Sequence, residues 1–341
     1  MRWSRFLAVT AVVLTVGAAG CGGDDAPTRA DTKVNDTIRV GLVTDIGQLN
    51  DRGFNHLAYV GLKRAERELG VQGRVLQSAT AADYIPNLSS LARKGYDLII
   101  GVGFAQGEAV DAAAVKYPNT RFAIIDVDQS GLPHKPENVI GLIFREQEAG
   151  YLAGALAALS ERRRAGRDVI SSVGGMKEPP VDRFIAGYQA GARKAVPGIT
   201  VLNGYSRDWD DQAKCKELAL DQIERGAGVV FQVAGGCGLG ALDAAKQRDV
   251  WGVGVDADQS FLGPHVLTSA QKKVDRAVYL TIEDVVKGRW RGGRNAAFGL
   301  AEDGVGLGKT SPKAQPADIA AVKKLESDLR AGKIDIPTSL E

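Results

Sequence analysis

Residues 38–55 read I-R-V-G-L-V-T-D-I-G-Q-L-N-D-R-G-F-N. The run 38–43 is apolar but for Arg39 and rich in β-branched residues, which suits a buried strand. Residues 55–69 then place Leu57, Ala58, Val60, Gly61, Leu62, Ala65 and Leu69 on one helical face, with charges opposite. Between strand and helix lie acids, amides, glycines and one Phe. A polar segment at the carboxyl end of a buried strand, beside a helix N-terminus, is where open α/β sheets bind ligands. The plainer reading is a polar turn with an Asp or Asn cap, but a cap uses only one such residue.

The same unit recurs along the chain. Strands are predicted at 74–77, 98–102, 121–127 and 139–144, with helices at 84–94 and 107–116. A second series follows, with helices at 146–160, 180–196, 210–225 and 239–248 and strands at 167–173, 200–205, 228–233 and 251–256. Residues 266–269 read as a short strand running into a helix at 274–287. The tail holds strands at 297–300 and 304–307 and a charged helix at 316–331. Apolar strands alternating with amphipathic helices predict α/β architecture: two doubly wound lobes, each on a parallel sheet covered on both faces. Strand ends of both lobes are expected to point into a cleft between them.

Residues 1–20 stand apart. Arg2 and Arg5 precede an uncharged, largely apolar run over 6–20, short for a membrane span and right for a secretory signal. The run V-G-A-A-G-C at 16–21 resembles a bacterial lipobox, with Ala18 where Leu is commonest. That resemblance implies cleavage before Cys21 and a lipid on it; the alternative is a plain signal peptide. The polar, aperiodic stretch to residue 37 reads as a flexible tether. Removing residues 1–20 takes away two of the 43 basic residues and none of the 41 acidic ones, leaving a formally neutral chain. Nothing in that balance draws it to nucleic acid. The remaining cysteines are Cys215 and Cys237. A right-handed α/β layout brings the start of the helix at 210–225 near the end of the following strand, so these two are expected to pair, and two free thiols would refute it.

Chemistry-bearing residues gather at the strand ends. The first half offers Asp45, Asn50, Asp51, Phe54 and Asn55, the glycine-bearing 103–107, and Asp126; the second offers Trp209 with Asp210 and Asp211, A-G-G-C-G-L-G at 234–240, Asp256, and Lys272. The run G-V-G-F-A-Q-G at 101–107 lacks the third glycine and the later acid of a dinucleotide fingerprint, and 234–240 lacks the Lys-Ser/Thr of a P-loop. His56, His134 and His265 sit in no metal or catalytic spacing, and no G-x-S-x-G elbow occurs. No enzyme, cofactor or metal is therefore expected. What remains is a cleft for a neutral ligand. Phe54 and Trp209, read as matching places in the two halves, would sandwich a flat ring, while Asp126 and Asp256 would accept hydrogen bonds at strand ends.

The segments D-I-G-Q-L-N-D-R-G-F-N (45–55), G-M-x-x-P-x-V-x-x-F-x-x-G-Y-x-A-G (175–191), G-V-D-A-D-Q (254–259) and T-S-A-Q-K-K-V-D (268–275) resemble the basic membrane protein (BMP) family, nucleoside-binding lipoprotein components of ABC transporters. The likeness runs over nearly all of 38–307. It implies a type I periplasmic-binding-protein fold with a hinge of three crossovers, near Phe144, Ser269 and Ala297. The lobes would comprise 38–144 with about 270–297, and 145–269 with about 298–341. It also implies that Phe54 and Trp209 hold a purine or other nucleoside base and that Asp45, Asn50 and Asp126 read its edge. Asp256 and Lys272 would reach the ribose, and Gly236 and Gly238 would admit backbone to the sugar. Cys237 departs from the small polar residue usual in that loop, and Gly53 from the Ser that often precedes Phe. The implied partners are a nucleoside, permease and ATPase subunits, and the membrane through the lipid on Cys21, with a monomer on the extracytoplasmic face. Rival functions are a nucleoside-sensing lipoprotein without transport and a nucleoside hydrolase, which would release free base.

Overall fold

The structure, a computed structural model, describes residues 37–47, 49–166 and 168–340. The signal segment, Cys21 and the tether therefore lie outside the described residues. The chain opens with β1 (Arg39–Ile46), α1 (Phe54–Leu69), β2 (Gln72–Ser78), α2 (Tyr84–Arg93), β3 (Leu98–Gly101), α3 (Gly107–Lys116), β4 (Arg121–Ile125) and β5 (Val139–Phe144). It continues with α4 (Glu146–Glu161), β6 (Val169–Gly174), α5 (Pro179–Ala195), β7 (Thr200–Tyr205), α6 (Gln212–Glu224), β8 (Val229–Val233), α7 (Gly238–Gln247), β9 (Trp251–Asp256) and β10 (Val266–Lys272). The last elements are α8 (Val274–Val286), β11 (Arg294–Phe298), β12 (Val305–Leu307) and α9 (Pro316–Arg330).

These strands form two six-stranded sheets, ordered β2-β1-β3-β4-β5-β11 and β7-β6-β8-β9-β10-β12. The order 2-1-3-4-5 is thus repeated, as in type I periplasmic binding proteins. All neighbours are parallel except β12, which runs antiparallel to β10. The central strands are apolar on both faces because helices cover both: Val40, Leu42, Leu98 to Ile100 and Phe122 to Ile125 are fully buried. Each of these side chains other than Ala123 contributes about 1.5–3 kcal/mol by leaving water.

Among the described residues the chain passes between the sheets three times: from β5 into α4, from β10 into α8, and from β11 into β12. β10 stays in the second sheet as far as Lys272, three residues beyond the predicted strand end.

The second lobe is built on a close helix pair. Gly150 and Gly154 of α4 lie against the backbone of Phe184 and Tyr188 in α5, and Gly187 and Gly191 of α5 lie against Gln147 and Tyr151 of α4. A Cβ at any of the four would overlap the facing carbonyl. Backbones this near need glycine at the crossing. The contact fixes the first turn of α5 beside the first turn of α4, and both turns serve the cleft.

Candidate ligand-binding cleft

Both sheets turn their carboxyl ends toward one cleft. From the first lobe it is lined by Asp45, Asp51, Phe54, Asn55, Phe104 and Asp126; from the second by Glu178, Phe184, Trp209, Gly236, Asp256 and Lys272.

Asp45 ends β1 and is held from three sides. Its amide donates to Asn55 Oδ1 at 3.1 Å, its Oδ1 accepts from the Ile46 amide at 2.7 Å, and the Tyr84 hydroxyl donates to the same oxygen. Gly103, with φ +108°, lies directly beneath the carboxylate, and a Cβ there would overlap it. The G-V-G segment is therefore a seat for Asp45, which neither a dinucleotide loop nor a generic turn predicts. Burial raises the Asp45 pKa, opposed by the hydrogen bond from Tyr84.

Asp126 follows β4 and Asp256 ends β9, the fourth strand of each lobe. Both adopt left-handed backbone, with φ 73° and 61°. That conformation is costly for a residue with a Cβ and is kept only where its surroundings enforce it. Both carboxylates are buried. Burial pushes Asp256 up to about 7, with Lys272 opposing, and Asp126 up to about 6, again against Lys272.

Lys272 is the joint of the cluster. Its Nζ lies 2.6 Å from Asp126 Oδ1 and 2.9 Å from Glu146 Oε1, and the side chain is 2 % exposed. The ammonium also sits 5.0 Å from the ring centres of both Phe54 and Phe144. Glu146, at the start of α4, takes Arg183 Nε of α5 at 2.7 Å on its other oxygen. A buried ammonium with two carboxylates keeps its charge: although burial alone lowers its pKa, Asp126, Glu146 and Asp256 together raise it.

Trp209 lies between β7 and α6. Its ring rests on Gly175, where a Cβ would overlap it, and beside Gly235. Its carbonyl accepts from the Cys237 amide at 2.8 Å. Cys237 is disulfide-bonded to Cys215 of α6, with Cα atoms 5.6 Å apart. The bridge ties the loop before α7 to α6 and so supports the Trp209 carbonyl from below.

Residues 38–339 match the family described as "ABC transporter substrate-binding protein PnrA-like", named Bmp. The chain belongs to the Bmp family. It is 33 % identical to the ABC transporter nucleoside-binding protein BmpA of Lactococcus lactis, over 98 % of this chain and 99 % of that one. It is 35 % identical to an uncharacterized lipoprotein of Pyrococcus abyssi, covering 88 % of this chain and 75 % of its relative. A solute-binding protein of an ABC transporter system from Aeropyrum pernix superposes with a TM-score of 0.81 at 29 % identity, covering 89 % and 94 % of the two chains. This Bmp protein is thus a substrate-binding protein of the ABC transporter type, with the two-lobed fold of periplasmic solute-binding proteins.

Of the residues picked from the sequence, Asp45, Asp51, Phe54, Asp126, Trp209, Gly236, Asp256 and Lys272 meet at this cleft. Asn50 does not line it; it lies exposed in the turn after β1. Gly238 begins α7 and packs on the Gln232 side chain, where any Cβ would collide. Asp51 lines the cleft but spends its oxygens on the amides of Gly53, Asn55 and His56, at 2.9, 2.8 and 3.1 Å, which makes it the helix cap of the plainer reading. Asp211 likewise caps α6 through the Ala213 amide.

Phe54 and Trp209 do not occupy matching places. Phe54 follows the first strand of its lobe and Trp209 the second, β7, which is an edge strand. The topological counterpart of Phe54 is the Pro179–Pro180 turn, and that of Trp209 is the segment around Thr80. The rings reach one cleft because β1 and β7 both end there.

Glu178 was missed. Burial raises it to about 7, with Asp45 and Asp126 across the cleft adding to the shift. It hides as an unspecified position between Met176 and Pro179 in the family pattern; only the α4–α5 packing brings it opposite Asp45.

Proposed function

We propose that this protein captures a nucleoside, purine above all, in the cleft by hinge closure and delivers it to a membrane permease. A lipid on Cys21 would hold it on the extracytoplasmic face. The observation that carries this reading is the pair of rings, Phe54 and Trp209, contributed by different lobes to one carboxylate-lined cleft. Two rings on separate bodies close on a flat base, and stacking on each is worth about 1–3 kcal/mol. Ligand contacts from both lobes favour the closed form over the open one, which is the energetic basis of closure.

Asp45 and Asp126 suit the N–H groups of a base edge, and Asp256 suits two vicinal ribose hydroxyls. With its ammonium already taken by Asp126 and Glu146, Lys272 serves by holding Asp126 in place. The relative from Lactococcus lactis named as nucleoside-binding supports the same ligand class.

Calorimetric titration of the mature protein with inosine, guanosine, adenosine, cytidine and uridine tests the reading. Purine nucleosides are expected to bind with a Kd of about 1 μM or tighter. Absence of heat with every nucleoside, or binding only of phosphorylated forms, would overturn it, because the cleft carries acids and its cations are already paired.

A further inference from the structure

We propose that the end of the first lobe farthest from the cleft is a docking surface for anionic phospholipid headgroups. The sheet of this lobe is parallel, so its two ends differ in composition. The carboxyl end carries the acids of the cleft. The amino end carries mostly bases, with Asp97 and Glu137 among them. Arg39, Arg121 and Arg294 begin β1, β4 and β11. With neighbouring strands about 4.8 Å apart, they form a row roughly 20 Å long across the sheet edge. Helices α2 and α3 end here in Arg93, Lys94 and Lys116. The segment after α8 reads K-G-R-W-R-G-G-R over 287–294 and adds Arg291 to the row. The Arg121 guanidinium lies 5.9 Å from the centre of the Trp290 ring, and Val115, Arg121 and Trp290 line one surface groove. Val115 and Val286 are 51 % and 39 % exposed.

Cations at helix C-termini satisfy the helix dipole, and that explanation applies to both lobes alike. The second lobe shows what it accounts for. At its corresponding end Arg163, Arg164, Arg225 and Arg248 pair with Asp318, Glu161, Asp221 and Glu224, while Arg162, Arg193, Lys194 and Lys246, each at a helix end, take part in no ion pair among the described residues. In the first lobe the ion pairs at this end use Lys63, Arg64, Lys287 and Arg289. Arg93, Lys94, Lys116, Arg121, Arg291 and Arg294 take part in none among the described residues. They form an excess of exposed positive charge on a chain whose overall balance is near zero.

The occupant follows from where the chain enters. Thr37 precedes β1 at this same end, and only residues 22–36 separate it from Cys21. Fully extended, such a stretch reaches about 50 Å. The inference rests on the Cys21 anchor of the proposed function: a body tethered by this end meets headgroups at high local concentration, so weak charge attraction suffices. Arginines suit the anionic headgroups, and Trp290 with the two valines suits the boundary beneath them. A body resting this way turns its acidic cleft toward the medium.

The test uses the mature chain with Cys21→Ser, sedimented with vesicles of phosphatidylglycerol and phosphatidylcholine in equal parts or of phosphatidylcholine alone. Binding to the anionic vesicles is expected to be at least about tenfold stronger and to fall as salt rises. Arg121→Glu with Arg291→Glu and Arg294→Glu should abolish that preference. Arg193→Glu with Lys194→Glu and Lys246→Glu in the second lobe should leave it intact. Thermal melts and nucleoside titration of both variants report whether they fold. Equal binding to both vesicle types, no binding, or equal loss in both variants would overturn the inference. Capture only by vesicles containing the permease would also overturn it and assign the surface to a protein partner. Fatty-acid labelling of the full chain reads the anchor separately: vesicle binding with an unlabelled Cys21 sinks the anchor alone, and a labelled Cys21 without vesicle binding sinks this inference alone.

Discussion

In the first lobe the cleft-facing ring, Phe54, opens a helix and is backed by the buried ammonium of Lys272. In the second lobe the corresponding task falls to Trp209, on a loop after an edge strand, backed by glycines and tied down through a disulfide-bonded neighbour. The sheets share one strand order, and their fourth strands both end in a left-handed aspartate. Duplicated topology therefore reproduces the acids at equivalent places, whereas the rings come from non-equivalent loops. What the frame fixes is the position of strand ends; which loop supplies an aromatic is free to differ, provided something rigid stands behind it.

The two kinds of support can be broken separately. Lys272→Met should have the largest effect, because it leaves Asp126 buried without its cation and Glu146 with Arg183 alone; a loss of about 3–5 kcal/mol in urea unfolding is expected. Adding Asp126→Asn to that variant should recover most of it, since Glu146 keeps Arg183. A loss below about 1 kcal/mol would show that the ionic joint is not what backs Phe54. Replacing both Cys215 and Cys237 with Ala should cost about 3 kcal/mol, as expected for a closed loop of this length. Hydrogen exchange should place the lost protection in α6 and α7 and leave the first lobe unchanged.

The aspartate pair gives a pH test. Burial raises Asp256 from 3.8 to about 7, so between these values the folded protein holds a proton that the unfolded chain has released. The stability this group contributes is complete below about pH 4 and is lost as pH rises through about 7. Between those limits the unfolding free energy of the wild type should fall relative to Asp256→Asn by about 1.4 kcal/mol per pH unit. Parallel pH profiles for the two proteins would refute the buried-carboxylate account. Smaller still, Phe54→Ala and Trp209→Ala should each weaken nucleoside binding about tenfold, roughly 1.4 kcal/mol, while Asn50→Ala should change it less than about twofold. Calorimetry that finds Asn50 as important as the rings would move the site toward the turn after β1.

Most of the strands and helices were legible because apolar period and length agree over each of them, as at 139–144, where prediction and structure coincide. Lys272 was legible as a site residue but not as part of a strand, since S-A-Q-K lacks a strand's apolar signature. β10 continues through it because β9 and β12 supply partners on both sides. The antiparallel direction of β12 left no local trace, because a run of three residues carries none. Asp51 and Gly238 carry structural roles that the sequence did not reveal, for one reason. A residue type that suits a ligand also suits a cap or a tight helix contact, and only the hydrogen bonds distinguish them. Glu178 required tertiary knowledge outright.

The four glycines at the α4–α5 crossing bear on how such a protein can change over time. A methyl at any one position strikes the opposite backbone, and no rotamer can relieve a clash with a carbonyl. The seam therefore resists piecemeal substitution and anchors Glu146 and Arg183 to a common frame. The side chain of Phe104, which lines the cleft and stands open at 37 % exposure, faces no such constraint. Mutation is channelled away from the frame and toward the ligand, so new specificities can be explored without relearning how to fold.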